Sequence, residues 1–414
     1  MPRKKPTMSR RDFVKTAASA GVAAPLMALG SALPANDANA SEHPTQKTVP
    51  KRPFGKTGEM VPILSLGGVL KESDLLVFRQ AFKLGVTYWD TADSYGWGKN
   101  EKAIGKYFAK FPDDRRQIFL VTKAATSDPE KLTEALNRSL LRMNTSYIDL
   151  YFIHYVGNVE KELTNDVKAW VDKAKAEGKI RFFGFSAHKN MEESMMAAAK
   201  LGWIDGIMMS YNYRLMVKDE MKRAVEACVT AGIGLTAMKT QAAFTANFYA
   251  SIGSETDDAL EMTDNFMRKG YTTEQAKLKV VWENPNIASI CSAMPNMTIL
   301  QANVAAALKE TTLSQGDRQR LRRFAELTAP GYCAGCANIC EPTVGCPVPI
   351  SDILRYSMYH HGYGDRDTAS RLFNQLPEAV KKNIMHADFR QAEKKCPQQI
   401  QIAKLLKEAV RDLA

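Results

Sequence analysis

From Ile63 onward, short runs of β-branched and aromatic residues alternate with longer stretches in which apolar residues recur every three or four positions. The runs are ILSLGG, VTYWDTA, IFLVTK, DLYFIH, IRFFGFS, GIMMSYN, IGLTAMK and IASICSAM. Each has the length of a buried strand. The stretches between them, such as DPEKLTEALNRSLLRM and NDVKAWVDKAKAEG, carry Glu, Lys and Arg on one helical face and Leu, Ala, Val or Trp on the other. Eight such strands, alternating with helices over a span typical of that architecture, predict an α/β fold: a (β/α)8 barrel ringed by helices.

Polar residues interrupt the apolar runs at one recurring place. Asp90, Lys123, His154 and Ser186 each end a run, at separations of 33, 31 and 32 residues. One βα unit takes about 30 residues, so the four occupy equivalent positions in consecutive units. In a barrel those positions share one mouth, the end where such folds place their active sites. Taken singly, Asp90 reads equally as a helix cap, Lys123 as a solvated lysine and His154 as a hydrogen-bonded core residue; their common phase argues for a site. Tyr95 follows Asp90 by five residues. A free phenol has a pKa near ~10, and a neighbouring ammonium is expected to lower it, making Tyr95 a general acid for a developing alkoxide. His154 is expected to donate a hydrogen bond that orients a carbonyl.

The stretch GVTYWDTADSYGWGKNEKAIGKYF, with VTK, YFIH and GFS, resembles the aldo/keto reductase family over about residues 54–308. That resemblance implies reversible hydride transfer between NADP(H) or NAD(H) and a small carbonyl or alcohol, with the catalytic tetrad on Asp90, Tyr95, Lys123 and His154. It also implies cofactor contacts at Ser186, Tyr211, Lys239 and Asn303. The chain departs from the family pattern at Ala187, where an Asn is usual, and at Met208, where a Gln is usual. The segment SAMPNMTILQAN lacks the Arg or Lys that many relatives set against a 2′-phosphate. The stretch from Lys239 to Gly270 is longer than an ordinary βα loop and is expected to fold over the mouth.

Composition adds the ends of the chain. Of the net charge of +11, a large share lies in the first 15 residues, and the remainder shows no sustained basic run, so nucleic-acid binding is not expected. SRRDFVK, a weakly apolar stretch and Ala38-Asn39-Ala40 resemble a twin-arginine export signal, with Arg10 and Arg11 as the pair. No later stretch is long and apolar enough to span a bilayer, so the expected product is exported, periplasmic and without a membrane span. The expected organisation is a signal over 1–40, a linker over 41–53, the barrel over 54–310 and a helical extension over 311–414.

That extension holds five of the seven cysteines. Cys333, Cys336, Cys340 and Cys346, with Cys346-Pro347, and a later Cys396-Pro397 resemble a ferredoxin-like module with one 4Fe-4S cluster and, by implication, an electron-transfer partner. The fourth ligand is either Cys346 or Cys396. Zinc and a disulfide-stapled remnant are the other readings of the same cysteines. A non-catalytic barrel acting as a redox sensor or electron-transfer subunit is the alternative to the reductase.

Overall fold

Strands β3 (Leu64–Gly67), β4 (Tyr88–Asp90), β5 (Phe119–Ala124), β6 (Ile148–Ile153), β7 (Ile180–Ala187), β8 (Gly206–Ser210), β9 (Gly234–Met238) and β10 (Ser289–Ala293) close into a parallel barrel in sequence order, β10 pairing with β3. This computed structural model describes residues 47–68, 70–241, 262, 264–310 and 312–414. The expected export signal and most of the long loop after Lys239 lie outside the described residues.

The helices form because the intervening sequence is amphipathic and marked at its ends. Asp128 caps the Pro129–Arg142 helix, accepting from the amides of Glu130 and Lys131, with Pro129 in the first turn. Thr272 and Gln275 form a capping box on Thr273–Trp282, and Ser314 and Asp317 form another on Gln315–Leu327. Met195, Leu136, Val171 and Leu300 pack from the helices onto outward residues of the strands, such as Phe183, Tyr151 and Leu120.

Inside the barrel the two-residue period of a strand decides what each layer contains. Tyr88, Phe119, Val121, Leu150, Phe152 and Met208 fill the lower interior. Below them β1 (Lys51–Pro53) and β2 (Met60–Pro62) pair antiparallel, and Phe54 between them, fully buried, packs on Tyr88 and Phe119. Residues 51–53, read from composition as the end of a linker, are thus part of the lid that seals the barrel floor. Two residues up each strand from Tyr88, Val121 and Phe152 come Asp90, Lys123 and His154. The alternation that builds the core therefore delivers the polar residues to the same face, at its top.

The C-terminal extension lies across that top, and Gln46–Ala414 form one compact unit. The Lys189 ammonium pairs with Asp352 at 2.8 Å, and Asn190 donates its amide to the Gly335 carbonyl at 2.8 Å. Asn212 donates to the Tyr332 hydroxyl at 2.9 Å, and Arg214 to the Ala325 carbonyl at 2.8 Å. The Ile350–Tyr363 helix sits above the ends of β6 to β9, held by the Arg366–Asn374 and Ile402–Leu413 helices behind it. Among the described residues no helix is long and apolar enough to cross a membrane.

Candidate active site

Lys123 is completely buried, and its Nζ is held by Asp90 Oδ1 at 2.6 Å and the Thr91 carbonyl at 2.7 Å. The ammonium lies 5.0 Å from the centre of the Tyr95 ring, and that ring stands edge-on to His154 at 5.8 Å between centroids. The four residues expected to act together are thus gathered at the top of the barrel. Tyr95 reaches this position from a loop turned by Gly96, Trp97 and Gly98, all with positive φ. Arg142 anchors the loop by donating to the Asp93 carbonyl at 3.0 Å while paired at 3.0 Å with fully buried Glu101. Gly68 gives the phenol room: a Cβ there would lie 2.5 Å from the Tyr95 ring.

The electrostatics differ from expectation at Tyr95. Its pKa is raised well above that of an ordinary phenol, by burial first and by the Asp90 carboxylate next. The ammonium of Lys123 does not reverse this, because at 2.6 Å it is matched to Asp90, and the phenol meets a neutral pair rather than a free cation. Asp90 itself is shifted upward by burial, with Lys123 opposing. Burial holds the His154 imidazole well below its usual range, and Lys123, Arg355 and Lys239 push the same way. His154 is therefore neutral at physiological pH, with Nδ1 lacking a hydrogen-bond partner.

The four residues expected at the cofactor are placed unequally. Ser186 is buried in β7, and its Oγ accepts from the Tyr155 amide at 3.3 Å. Lys239 has a positive φ of 56°, which brings its side chain under the extension, 5.6 Å from the Tyr359 ring. Tyr211 is out of phase with the inward residues of β8; it packs in the layer outside the barrel and its hydroxyl accepts from Asn284 at 2.8 Å. Asn303 is 2% exposed and is engaged by Ser292 at 3.0 Å and Gln241 at 3.3 Å.

Other residues complete the mouth. Tyr155, with φ of 69°, turns back to stack on His154 at 3.6 Å. Arg355 of the extension lies 5.1 Å above the Tyr155 ring. Cys291 contacts Asp90 across the barrel closure, and its thiol is pushed well up by burial and that carboxylate. The alternation in IASICSAM was the one available signal for it. His188 stands two residues beyond Ser186, 6.1 Å from His154 between ring centroids.

In the extension all five cysteines are unpaired. Cys333, Cys336, Cys340 and Cys396 line one small cavity with Ile350, Leu354 and Ile400. Cys346 is not in its wall. Among the described residues no three His, Cys, Asp or Glu side chains are gathered as ligands of a metal ion.

Residues 64–324 match the Aldo/keto reductase family. Uncharacterized oxidoreductase YqkF of Bacillus subtilis is 34% identical over 153 residues, covering 33% of this chain and 48% of the relative. Aldo-keto reductase yakc [NADP(+)] of Schizosaccharomyces pombe is 34% identical over 160 residues, covering 34% and 45%. The matched region thus spans about half the length of these curated relatives. The solved holo form of aldo-keto reductase AKR11C1 from Bacillus halodurans superposes with a TM-score of 0.54 at 22% identity, over 66% of this chain and 96% of that one, a likeness of fold. With the family pattern running from β3 through the last barrel helix and into the extension, this chain belongs to the aldo/keto reductase family.

Proposed function

We propose that the chain is an NAD(P)(H)-dependent oxidoreductase interconverting a carbonyl and an alcohol, with Tyr95 as general acid and base. The observation that carries this reading is the convergence of Tyr95, the Lys123–Asp90 pair and neutral His154 on one buried mouth. A bound reduced nicotinamide supplies the hydride to the carbonyl carbon. Tyr95, kept protonated by its surroundings, passes its phenolic proton to the oxygen as negative charge develops there. His154, being neutral, orients the oxygen by donating a hydrogen bond and is not the proton source. The Lys123–Asp90 pair holds the ammonium 5.0 Å from the centre of the Tyr95 ring and fixes the surroundings of the phenol. Of the four residues expected at the nucleotide, Ser186 keeps that role in this reading, whereas Tyr211 and Asn303 are satisfied within the protein and Lys239 turns under the extension. The choice between NADP(H) and NAD(H) follows from direct titration with each.

A 4Fe-4S cluster in the extension is the second part of the proposal. Its support is the cavity bounded by Cys333, Cys336, Cys340 and Cys396, which favours Cys396 over Cys346 as fourth ligand. Structural zinc accepts four thiolates as well, so iron and acid-labile sulfide analysis of anaerobically prepared protein separates the two. Export by the twin-arginine route rests on Arg10, Arg11 and the stretch after them; a signal over 1–40, a linker ending before the strand at Lys51, the barrel with its floor up to 310 and the extension over 311–414 are part of the same reading. Loss of export in an Arg10→Lys, Arg11→Lys double variant tests the route.

Anaerobically purified protein should oxidise NADPH or NADH in the presence of a carbonyl panel. Unchanged turnover in Tyr95→Phe would sink the tetrad mechanism. One observation favours an electron-transfer or sensor subunit instead: Cys333 lines both the cysteine cavity and a second cavity at the barrel mouth. That reading gains if nucleotide binds and no carbonyl is reduced.

A further inference from the structure

The second cavity, a small one, lies between the barrel mouth and the extension. Its barrel wall includes His188, Ser210 and Lys239; its extension wall includes Cys333, Ser351 and Arg355. Two cationic side chains face it, and no carboxylate lines it. Arg355 is 9% exposed: one Nη donates to Asp352 at 2.9 Å, the other to the Tyr359 hydroxyl at 3.0 Å, and Nε has no partner. Asp352 offers little more charge to the cavity, because its other oxygen is held by Lys189 at 2.8 Å. Glu341, the other nearby carboxylate, accepts the Ser351 amide at 3.0 Å. Nδ1 of His188 is also buried without a partner.

Buried cations and donors without a matching charge are costly, and an anion relieves that cost. Asp90, Tyr95, Lys123 and His154 are not in the cavity wall; its link to them runs through Arg355. Arg355 covers the Tyr155 ring at 5.1 Å, and that ring stacks on His154 at 3.6 Å. An anionic group held by Arg355 is one aromatic ring away from the imidazole that would orient a carbonyl.

We propose that Arg355, with Lys239 and His188, forms an oxyanion subsite that recognises the carboxylate of the substrate, making carbonyl acids the preferred substrate class. The proposal rests on the reductase reading above. Its consequence is that the extension supplies a specificity-determining residue, so that a barrel without it would have an incomplete substrate site.

The test compares 4-carboxybenzaldehyde with 4-methylbenzaldehyde, which differ in the anionic group at similar size. The wild type should favour the acid in kcat/KM, and Arg355→Met should reduce the acid-to-neutral ratio on the order of 10- to 100-fold, the loss of a charge-assisted contact. Arg355→Lys should recover part of it, and Lys239→Met should lower the ratio from the barrel side. A ratio equal in wild type and Arg355→Met overturns the proposal. If neither aldehyde is reduced, the reductase reading has failed, and calorimetry with 4-methylbenzoate decides the subsite separately. Binding weakened at least tenfold by Arg355→Met sustains it, and no binding to the wild type overturns it. Inorganic phosphate binding through Arg355 while 4-methylbenzoate does not bind would assign the site to a cofactor phosphate and overturn the substrate assignment.

Discussion

At the scale of single residues, the active phenol works from a raised pKa. Tyr95→Phe should lower kcat at least 10²-fold, the ordinary worth of a positioned proton donor, while nucleotide affinity measured by fluorescence titration stays within a few-fold. The sign of the pH dependence follows from the direction of the shift. Reduction needs the protonated phenol, and burial with Asp90 moves its loss of the proton to higher pH, so kcat for reduction should stay level through the usual phenol pKa of ~10, provided the fold persists. A fall in rate near neutrality would show Tyr95 or His154 titrating there and would contradict both assignments. Lys123→Met leaves Asp90 buried without its partner and should cost about 3–5 kcal/mol in denaturant unfolding. Spacing alone revealed that Asp90, Lys123 and His154 share a phase. It did not reveal the sign of the Tyr95 shift, because Lys123 bonds to Asp90 across 33 residues of sequence, and only in space is its charge neutralised.

Elements set where these residues point. The inward positions of β4, β5 and β6 were readable from alternation, and so were their helices. Tyr155 and Lys239 were not, because each breaks the strand period by taking a positive φ at its end, a conformation that L-residues adopt at an energetic cost. Tyr211 shows the opposite case: it keeps the period and for that reason faces the helices rather than the mouth. The joint between barrel and extension depends on Gly335, whose φ is 82° and where a Cβ would come 2.4 Å from the His188 carbonyl. Gly335→Ala should therefore loosen the extension, read as faster amide exchange over Ile350–Tyr363, while exchange in β4 to β6 stays as in the wild type. At the opposite end, Phe54→Ala should destabilise the barrel by about 3–5 kcal/mol, since the ring is a complete plug with no nearby side chain free to replace it.

For the whole molecule, the extension and the barrel make one body, and its cysteines make the sharpest prediction. Cys396→Ser should abolish iron and acid-labile sulfide in anaerobically prepared protein, whereas Cys346→Ser should retain them; the reverse outcome would return the fourth ligand to the Cys346-Pro347 pair. The amino-acid order by itself determined the barrel, its strand sequence, the shared end of the polar residues and the grouping of cysteines in one extension. These are local properties: period, capping, turn chemistry and spacing repeat within a few tens of residues. Tertiary structure alone decided that Arg355 stands over Tyr155, that Cys291 meets Asp90, and that Cys396 joins Cys333, Cys336 and Cys340. Each of those contacts joins residues dozens to hundreds of positions apart, so it exists only once the barrel has closed and the extension has packed against itself and across the mouth.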